Sequence, residues 1–390
     1  MTTQRRVVAT VMGCHFVAAF AALGMPPFFA LILEQSLHSD AQFLAGWLYV
    51  VPILFTAMSS PWWGKLADRY GKKPLLLRAQ LGLAASFLLA GFASDVRVFV
   101  VALVLQGLLG GTFAASNAYL TTLVSGKALA RSLNWMQWSA RAALIAAPVG
   151  LGVLMIEVES PIQLYRYLAL LPLLAAAMLW WLPSGTAPAG EVIAEKPCIA
   201  GTEATPWQVY WLQFALVFST VVTFPYFIPY AQKAGIAATP AMAGLLFGLP
   251  HLVYLVCSLP ISRWLEERGR VAALKVACLL LAASLLGQVW APTWPALTAW
   301  RLLMGLGMTA AMVSLNGLIA GVVQQAGAGS TFGWLESSSK WGAVLAGFTA
   351  GLAAHTFDAR FPFFIGAAAL LIASGYLAAM AVARPRLGNS

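Results

Sequence analysis

Glu336 and Lys340 stand four residues apart in the run 331–354, which carries no other Asp, Glu, Lys or Arg. On a helix that spacing places both on one face, where a carboxylate and an ammonium can pair. Glu336 is also the one acid that falls inside any of the long apolar runs of this chain. It is therefore the leading proton-carrier candidate, with a protonation state that responds to whatever engages Lys340; a permanent structural pair is the alternative. Arg141, Arg301, His15 and His251 lie inside other apolar runs. A charge at the centre of a bilayer costs a few kcal/mol on insertion scales, so such residues face a protein interior or a wet cavity. Arg141 can grip a carboxylate through two parallel hydrogen bonds. Snorkelling, or satisfaction by backbone carbonyls, is the alternative. His15 is the only titratable imidazole of the first run, and serves either as a proton relay or as a satisfied polar residue.

The elements that must carry these residues follow from composition. Of 390 residues, 61% are apolar and 9% charged, and the mean hydropathy is +0.81. A soluble domain has roughly 25% charged residues. Apolar runs of spanning length, about 20 residues, fall at 8–33, 43–64, 74–94, 98–124, 133–155 and 162–183, then at 207–231, 240–261, 271–291, 296–323, 331–354 and 361–383. Backbone polar groups in lipid must pair within their own segment, so these are helices. The expected fold is an all-α polytopic membrane protein of twelve transmembrane helices. Trp62, Trp63, Trp180, Trp181, Trp207 and Trp211 lie near span ends, where an interfacial belt is expected.

The net charge of +10 could serve nucleic acid, but its placement argues against that. Sixteen of the 23 Lys and Arg residues, from Arg5 and Arg6 to Arg384 and Arg386, fall in segments that share one side of such a bundle. Arg97, Arg166, Lys233 and Arg360 fall near the other. The excess of Lys and Arg marks the cytoplasmic side, so both termini are expected there. The start, Arg5-Arg6 before an apolar run, is read as the first span and not as a cleaved signal. Cys14, Cys198, Cys257 and Cys278 show no metal or disulfide spacing. The four histidines, His15, His38, His251 and His355, are too scattered for a metal or nucleophile site, which argues against a membrane enzyme. No segment is long enough for the output domain of a sensor.

The polar stretch 184–206 reads as a cytoplasmic linker between an N-terminal six-helix half, 1–183, and a C-terminal one, 207–390. The halves repeat. "GKLADRYGK" from Gly64 returns as "SRWLEERGR" from Ser262, an offset of 198 residues. Asn117 returns as Asn316 and Trp135 as Trp334, at an offset of 199, which aligns Gln137 with Glu336 and Arg141 with Lys340. Parallel six-helix repeats are a transporter architecture with the substrate site at the midplane. Under that symmetry Arg141 and Lys340 face each other across a central cavity of positive bias. Such a cavity suits carboxylate, phosphate or hydroxamate groups and suits lipophilic cations poorly. Asn117 and Asn316 would fix polar groups of a ligand or bond neighbouring helices. Trp138, with Trp135, Tyr119, Tyr226 and Tyr230, would line the cavity or pack.

The loop "GKLADRYGKKP", Gly64 to Pro74, resembles the "GxLaDrxGrkx" signature of the major facilitator superfamily. Gly64 permits close helix approach, Gly71 a tight turn, and Lys72 and Lys73 hold the loop in the cytoplasm. The resemblance implies that Asp68 docks near the start of the eleventh helix, around Ser330 and Thr331, and latches an outward-open state together with Arg69 and its loop. A loop that only sets topology is the alternative. Ala147-Pro148-Val149-Gly150-Leu151-Gly152 is similar to the "GxxxGPxxGG" of family exporters, with Pro148 kept and glycines thinned. Gln106-Gly107 resemble the end of the "RxxqG" of proton antiporters, but Leu103 stands at the arginine position. The second half has Arg301 at the related place, in "RLLMG". The stretches "LQGLLGGTFAASNAYL" and "SARAALIAAPVGLG" are similar to exporters of hydroxamate and citrate-type siderophores. The resemblance thus implies a proton-coupled exporter of a small anionic or polyoxygenated metabolite, with a multidrug antiporter and an uptake symporter as alternatives. It would use the proton gradient, no cofactor and no nucleic acid, in a bacterial inner membrane. One chain holds both halves, so a monomer suffices.

Overall fold

The computed structural model describes residues 3–41, 43–120, 122–123, 126–183, 204–266, 269–326 and 328–383. Most of the expected linker, 184–203, lies outside them. The described residues form helices joined by short turns. Contacts divide the chain into two compact units, Met1–Pro197 and Cys198–Ser390.

The first unit has six rods. α1 comprises Thr3–Gly24 and Phe29–Gln35, separated by a 3-10 turn at Pro26–Phe28. α2 is Leu44–Tyr70 and α3 is Lys72–Gly91. α4 comprises Val96–Leu109 and Thr112–Leu120. α5 is Gly126–Glu157, and α6 runs from the 3-10 turn Pro161–Gln163 through Leu164–Leu168 and Leu170–Trp180. The second unit repeats them. α7 comprises Pro206–Val221 and Phe227–Lys233. α8 is Pro240–Glu266, α9 is Arg270–Val289, α10 is Trp294–Ala326, α11 is Ala328–Thr356 and α12 is Phe361–Ala383. Among the described residues nine of these are long and apolar enough to cross a membrane, and Leu44–Ser60 of α2 is a shorter apolar stretch. α7 and α11 complete the twelve.

Local chemistry explains the ends. Asp95 caps α4 by accepting from the amides of Arg97 and Val98 at 2.7 and 3.0 Å. Thr205 and Gln208 cap α7 reciprocally, with Pro206 in the first helical position. Gly71, at φ 94°, turns the chain between α2 and α3, as its place in the loop requires. Lys73 reaches the C-terminal carbonyls of α6, Trp180 at 2.9 Å and Leu182, where a cation also meets the negative end of the helix dipole.

Packing shows the repeat at atomic detail. In the first unit α1 packs on α5 and α6, α2 on α4, and α3 on α4 and α6. In the second unit α7 packs on α11 and α12, α8 on α10, and α9 on α10 and α12. A Cβ at Gly107 would lie 2.7 Å from Phe55 Cβ and 3.0 Å from Pro52 Cα. A Cβ at Gly305 would lie 2.6 Å from Val253 Cβ and 3.0 Å from Pro250 Cα. The three pairs share one offset of 198 residues. The proline breaks of α1 and α7 also correspond, Pro26 with Pro225 at 199. Outside each bundle Leu174, Val256, Leu259 and Ile372 are exposed apolar side chains, the surface expected of a chain solvated by lipid.

Candidate functional site

α4 is interrupted inside the membrane span. Gly110 and Gly111 are not helical, and Gly111 sits at φ 83°, which an L side chain resists. The break frees the last carbonyls of the first segment, and lipid offers them no donors. α2 and α3 supply them instead. Thr56 and Ser59 donate to Gly107 O at 3.1 and 3.4 Å. The Trp63 indole donates to Leu108 O at 2.7 Å, and Arg78 Nη1 to Leu109 O at 2.5 Å. The Arg78 guanidinium also lies 3.4 Å from the Trp63 ring centroid, a cation–π contact. Trp63 is thus part of this cluster and not of the interfacial belt, whereas Trp62, Trp180, Trp181, Trp207 and Trp211 are exposed. A pocket of about 220 Å³ opens beside the break, walled by Thr56, Ser59, Trp63, Lys72, Arg78 and Gly111 among others. The equivalent α10 is continuous through this level.

Arg301 has a different task from the one its charge advertises. It is 4% exposed. Its Nε donates to Leu246 O at 2.8 Å and its Nη2 to Phe247 O at 2.6 Å. Pro250 lies inside α8 and has no N–H for Leu246 O, four residues back. The guanidinium replaces that lost donor. Phe227 covers it at 4.1 Å, and Met304 Sδ and Gln288 Oε1 meet Nη1 at 3.3 and 3.5 Å. The described geometry commits Arg301 to the α8 proline.

The other candidates spread along the two units. Arg141 and Trp138 are partly buried on α5, and Trp138 meets Trp135 edge-on at 5.7 Å. Asn117 is partly buried on α4, and its Oδ1 has no hydrogen-bond partner among the described residues. Lys340 is partly buried on α11 and Asn316 exposed on α10. Pro148 is buried within α5, beside the place where α1 comes closest: a Cβ at Gly24 would meet Ala147 Cβ at 2.5 Å and Leu151 Cδ1 at 2.7 Å. His15 is 2% exposed, with neither nitrogen hydrogen-bonded among the described residues and its ring 5.0 Å from Phe113. In the signature loop Arg69 is exposed beside Tyr70, and Lys72 walls the pocket. Gly64 is exposed, with no described residue within 4 Å of a Cβ, and the close helix approaches seen within the units fall at Gly24, Gly107 and Gly305. The side chains of Asp68, Ser330, Thr331 and Glu336 lie outside the described residues. Among the described residues no group of His, Cys, Asp and Glu gathers as a metal would need.

Sequence reasoning passed over Arg78, Thr56, Ser59 and the role of Trp63. The Gly110-Gly111 pair inside a span was the available signal, since two glycines there invite a break.

Repeated six-helix membrane bundles, with helices broken in mid-span and polar side chains turned inward, define a secondary transporter. The chain belongs to the Major Facilitator Superfamily, whose model matches residues 11–237 and 209–389. Among curated relatives, "Multidrug resistance protein MdtG" of Salmonella arizonae is 34% identical over 154 residues, 39% of this chain and 38% of that protein. The same protein of Salmonella paratyphi B is 40% identical over 124 residues, 31% of this chain and 30% of the relative. The chain thus spans well under half the length of these relatives. The human organic anion transporter MFSD10 (TETRAN) shares the fold, with a TM-score of 0.68 at 16% identity, over 97% of this chain and 100% of that one.

Proposed function

We propose that this chain is a proton-driven exporter of small amphiphilic compounds, a multidrug-type antiporter. The observation that carries the reading is the partial identity to the MdtG proteins. Arg141, Lys340, Asn117, Asn316 and Trp138 are the proposed ligand contacts, with Glu336 and His15 as proton carriers. The loop Gly64, Asp68, Arg69, Gly71 and Lys72, with Pro148 of α5, is the proposed conformational switch, Asp68 acting at the start of α11. Arg301 is assigned to architecture. The chain acts in a bacterial inner membrane with both termini cytoplasmic, as a monomer, on the halves 1–183 and 207–390.

A second reading, export of an anionic siderophore, is favoured by the cations Arg141 and Lys340. The two separate in one experiment. The chain is expressed in an efflux-deficient bacterium and challenged with cationic dyes, zwitterionic antibiotics and anionic amphiphiles, while siderophore is quantified inside and outside iron-starved cells of the source strain with and without the gene. Raised resistance with unchanged siderophore supports the multidrug reading. Retained siderophore without resistance replaces it with the second. In everted vesicles Glu336→Gln is expected to abolish transport driven by a pH gradient, and gradient-driven transport surviving that change would remove Glu336 from the mechanism.

A further inference from the structure

The first unit holds an apolar cluster that includes Val11 of α1, Leu76 of α3, Leu120 of α4 and Met136 of α5. Each of these helices carries a polar residue one turn further along. His15 follows Val11 by four, Gln80 follows Leu76 by four, Ser116 precedes Leu120 by four, and Ser139 follows Met136 by three. Residues at these spacings share a helix face. Consecutive spans joined by short turns alternate in direction, so α1, α3 and α5 run one way and α4 the other. Forward on the first three and backward on α4 is then the same direction. The four side chains form one layer over the cluster. The contact of His15 with Phe113, one turn from Ser116, ties α1 to α4 at this level independently.

The layer is buried and unsatisfied. His15 is 2% exposed, Gln80 0%, Ser116 1% and Ser139 9%. Both imidazole nitrogens, both polar atoms of the Gln80 amide and both hydroxyls lack a hydrogen-bond partner among the described residues. Buried polar groups are paired, and ordered water pairs them where protein does not. We propose that this layer is an internal water- and proton-binding site, with His15 its proton-carrying group and Gln80, Ser116 and Ser139 holding water against it.

The chemistry suits both protonation states. Neutral imidazole needs one donor and one acceptor; imidazolium needs two acceptors. Hydroxyls, a carboxamide and water can turn to supply either set, which a fixed carboxylate could not. Among the described residues the charged neighbours are few. Arg78, two residues before Gln80, is held by Leu109 O and the Trp63 ring. Arg141, two residues after Ser139, is turned to another side of α5. Glu34 and Glu157 lie at the far ends of α1 and α5, and Arg97 and Asp95 at the start of α4. Arg166, the charge of α6, caps Gly91 O. Of the other titratable groups, Cys14 Sγ contacts Ala175 O and Tyr119 donates to Pro183 O. The proposal deepens the proton-driven reading above and rests on it for what the bound proton does in transport.

The test is nitrogen NMR of the full chain in lipid nanodiscs with its four histidines labelled in the ring, the His15 signals being those lost in His15→Gln. The expected result is reversible titration of His15 within the pH range over which the chain stays folded, with magnetisation transfer from water to the ring. Ser116→Ala with Ser139→Ala, checked for unchanged melting, should move that midpoint by about tenfold in proton concentration. A His15 that stays neutral in one tautomer across the range, without water contact, overturns the site; a midpoint unmoved by the serine changes removes the serines from it. Ethidium and norfloxacin transport under an imposed pH gradient is measured in liposomes alongside. A titrating His15 without gradient-driven transport keeps the site and fails the antiport reading; the converse fails the site and keeps antiport.

Discussion

The guanidinium of Arg301 shows how a charge in a membrane can be architectural. It donates to the carbonyl that Pro250 leaves without a partner, so its removal leaves a buried acceptor unmatched. Such a loss costs about 1–3 kcal/mol per group. Arg301→Leu is expected to lower the melting temperature of the detergent-purified protein, with Arg301→Lys intermediate because an ammonium cannot reach both carbonyls with one planar fork. In a Pro250→Ala background the restored amide satisfies Leu246 O, so the same leucine substitution should cost measurably less. Additive effects in that double-mutant cycle would refute the pairing. Nothing in the sequence joins position 301 to position 250; only helix packing does. The same holds for Arg78, whose partners Trp63 and Leu109 come from two other helices.

At the scale of the helices, the interruption of α4 and the close crossings decide what each substitution does. Gly111→Ala forces a residue with a Cβ to φ 83°, at a cost of about 1–2 kcal/mol. Trp63→Phe keeps the ring beneath Arg78 but loses the bond to Leu108 O, and should destabilise the same break by about 1 kcal/mol. Gly107→Ala and Gly305→Ala press a methyl into α2 and α8 respectively, and each is expected to lower stability by about 1–3 kcal/mol. Gly64→Ala, with open space around it, should leave melting unchanged or slightly raised. Equal losses at Gly64 and Gly107 in thermal melts would contradict the packing described. Length and hydropathy made the spans legible. Hydropathy did not show the breaks in α1, α4 and α7, because an apolar run reads the same whether one helix or two shorter ones cross it; the Gly110-Gly111 pair was the one local sign of the break in α4.

For the molecule as a whole, the two units meet in sequence between Pro197 and Cys198. Each has its own helix pairings, repeated in the other. Residues 1–197 and 198–390, expressed as two chains in one cell, are therefore expected each to fold, and together to recover the transport of the intact chain. Two stable but inactive halves would mean that the covalent connection matters to function. The sequence by itself determined the solvent, the number and order of spans, and the repeat. Those rest on the composition and periodicity of the chain, which lipid enforces on every segment separately. It also marked the signature loop, whose glycine at 71 turns as its type requires. Which buried polar groups are occupied by structure and which are left open was decided only by tertiary packing. Arg301 and His15 look alike in an apolar run, yet one closes on carbonyls of a neighbouring helix and the other, packed on the Phe113 ring, finds no hydrogen-bond partner for either nitrogen among the described residues. The difference lies in what the adjacent helices bring to the same level, a quantity that no single stretch of chain contains.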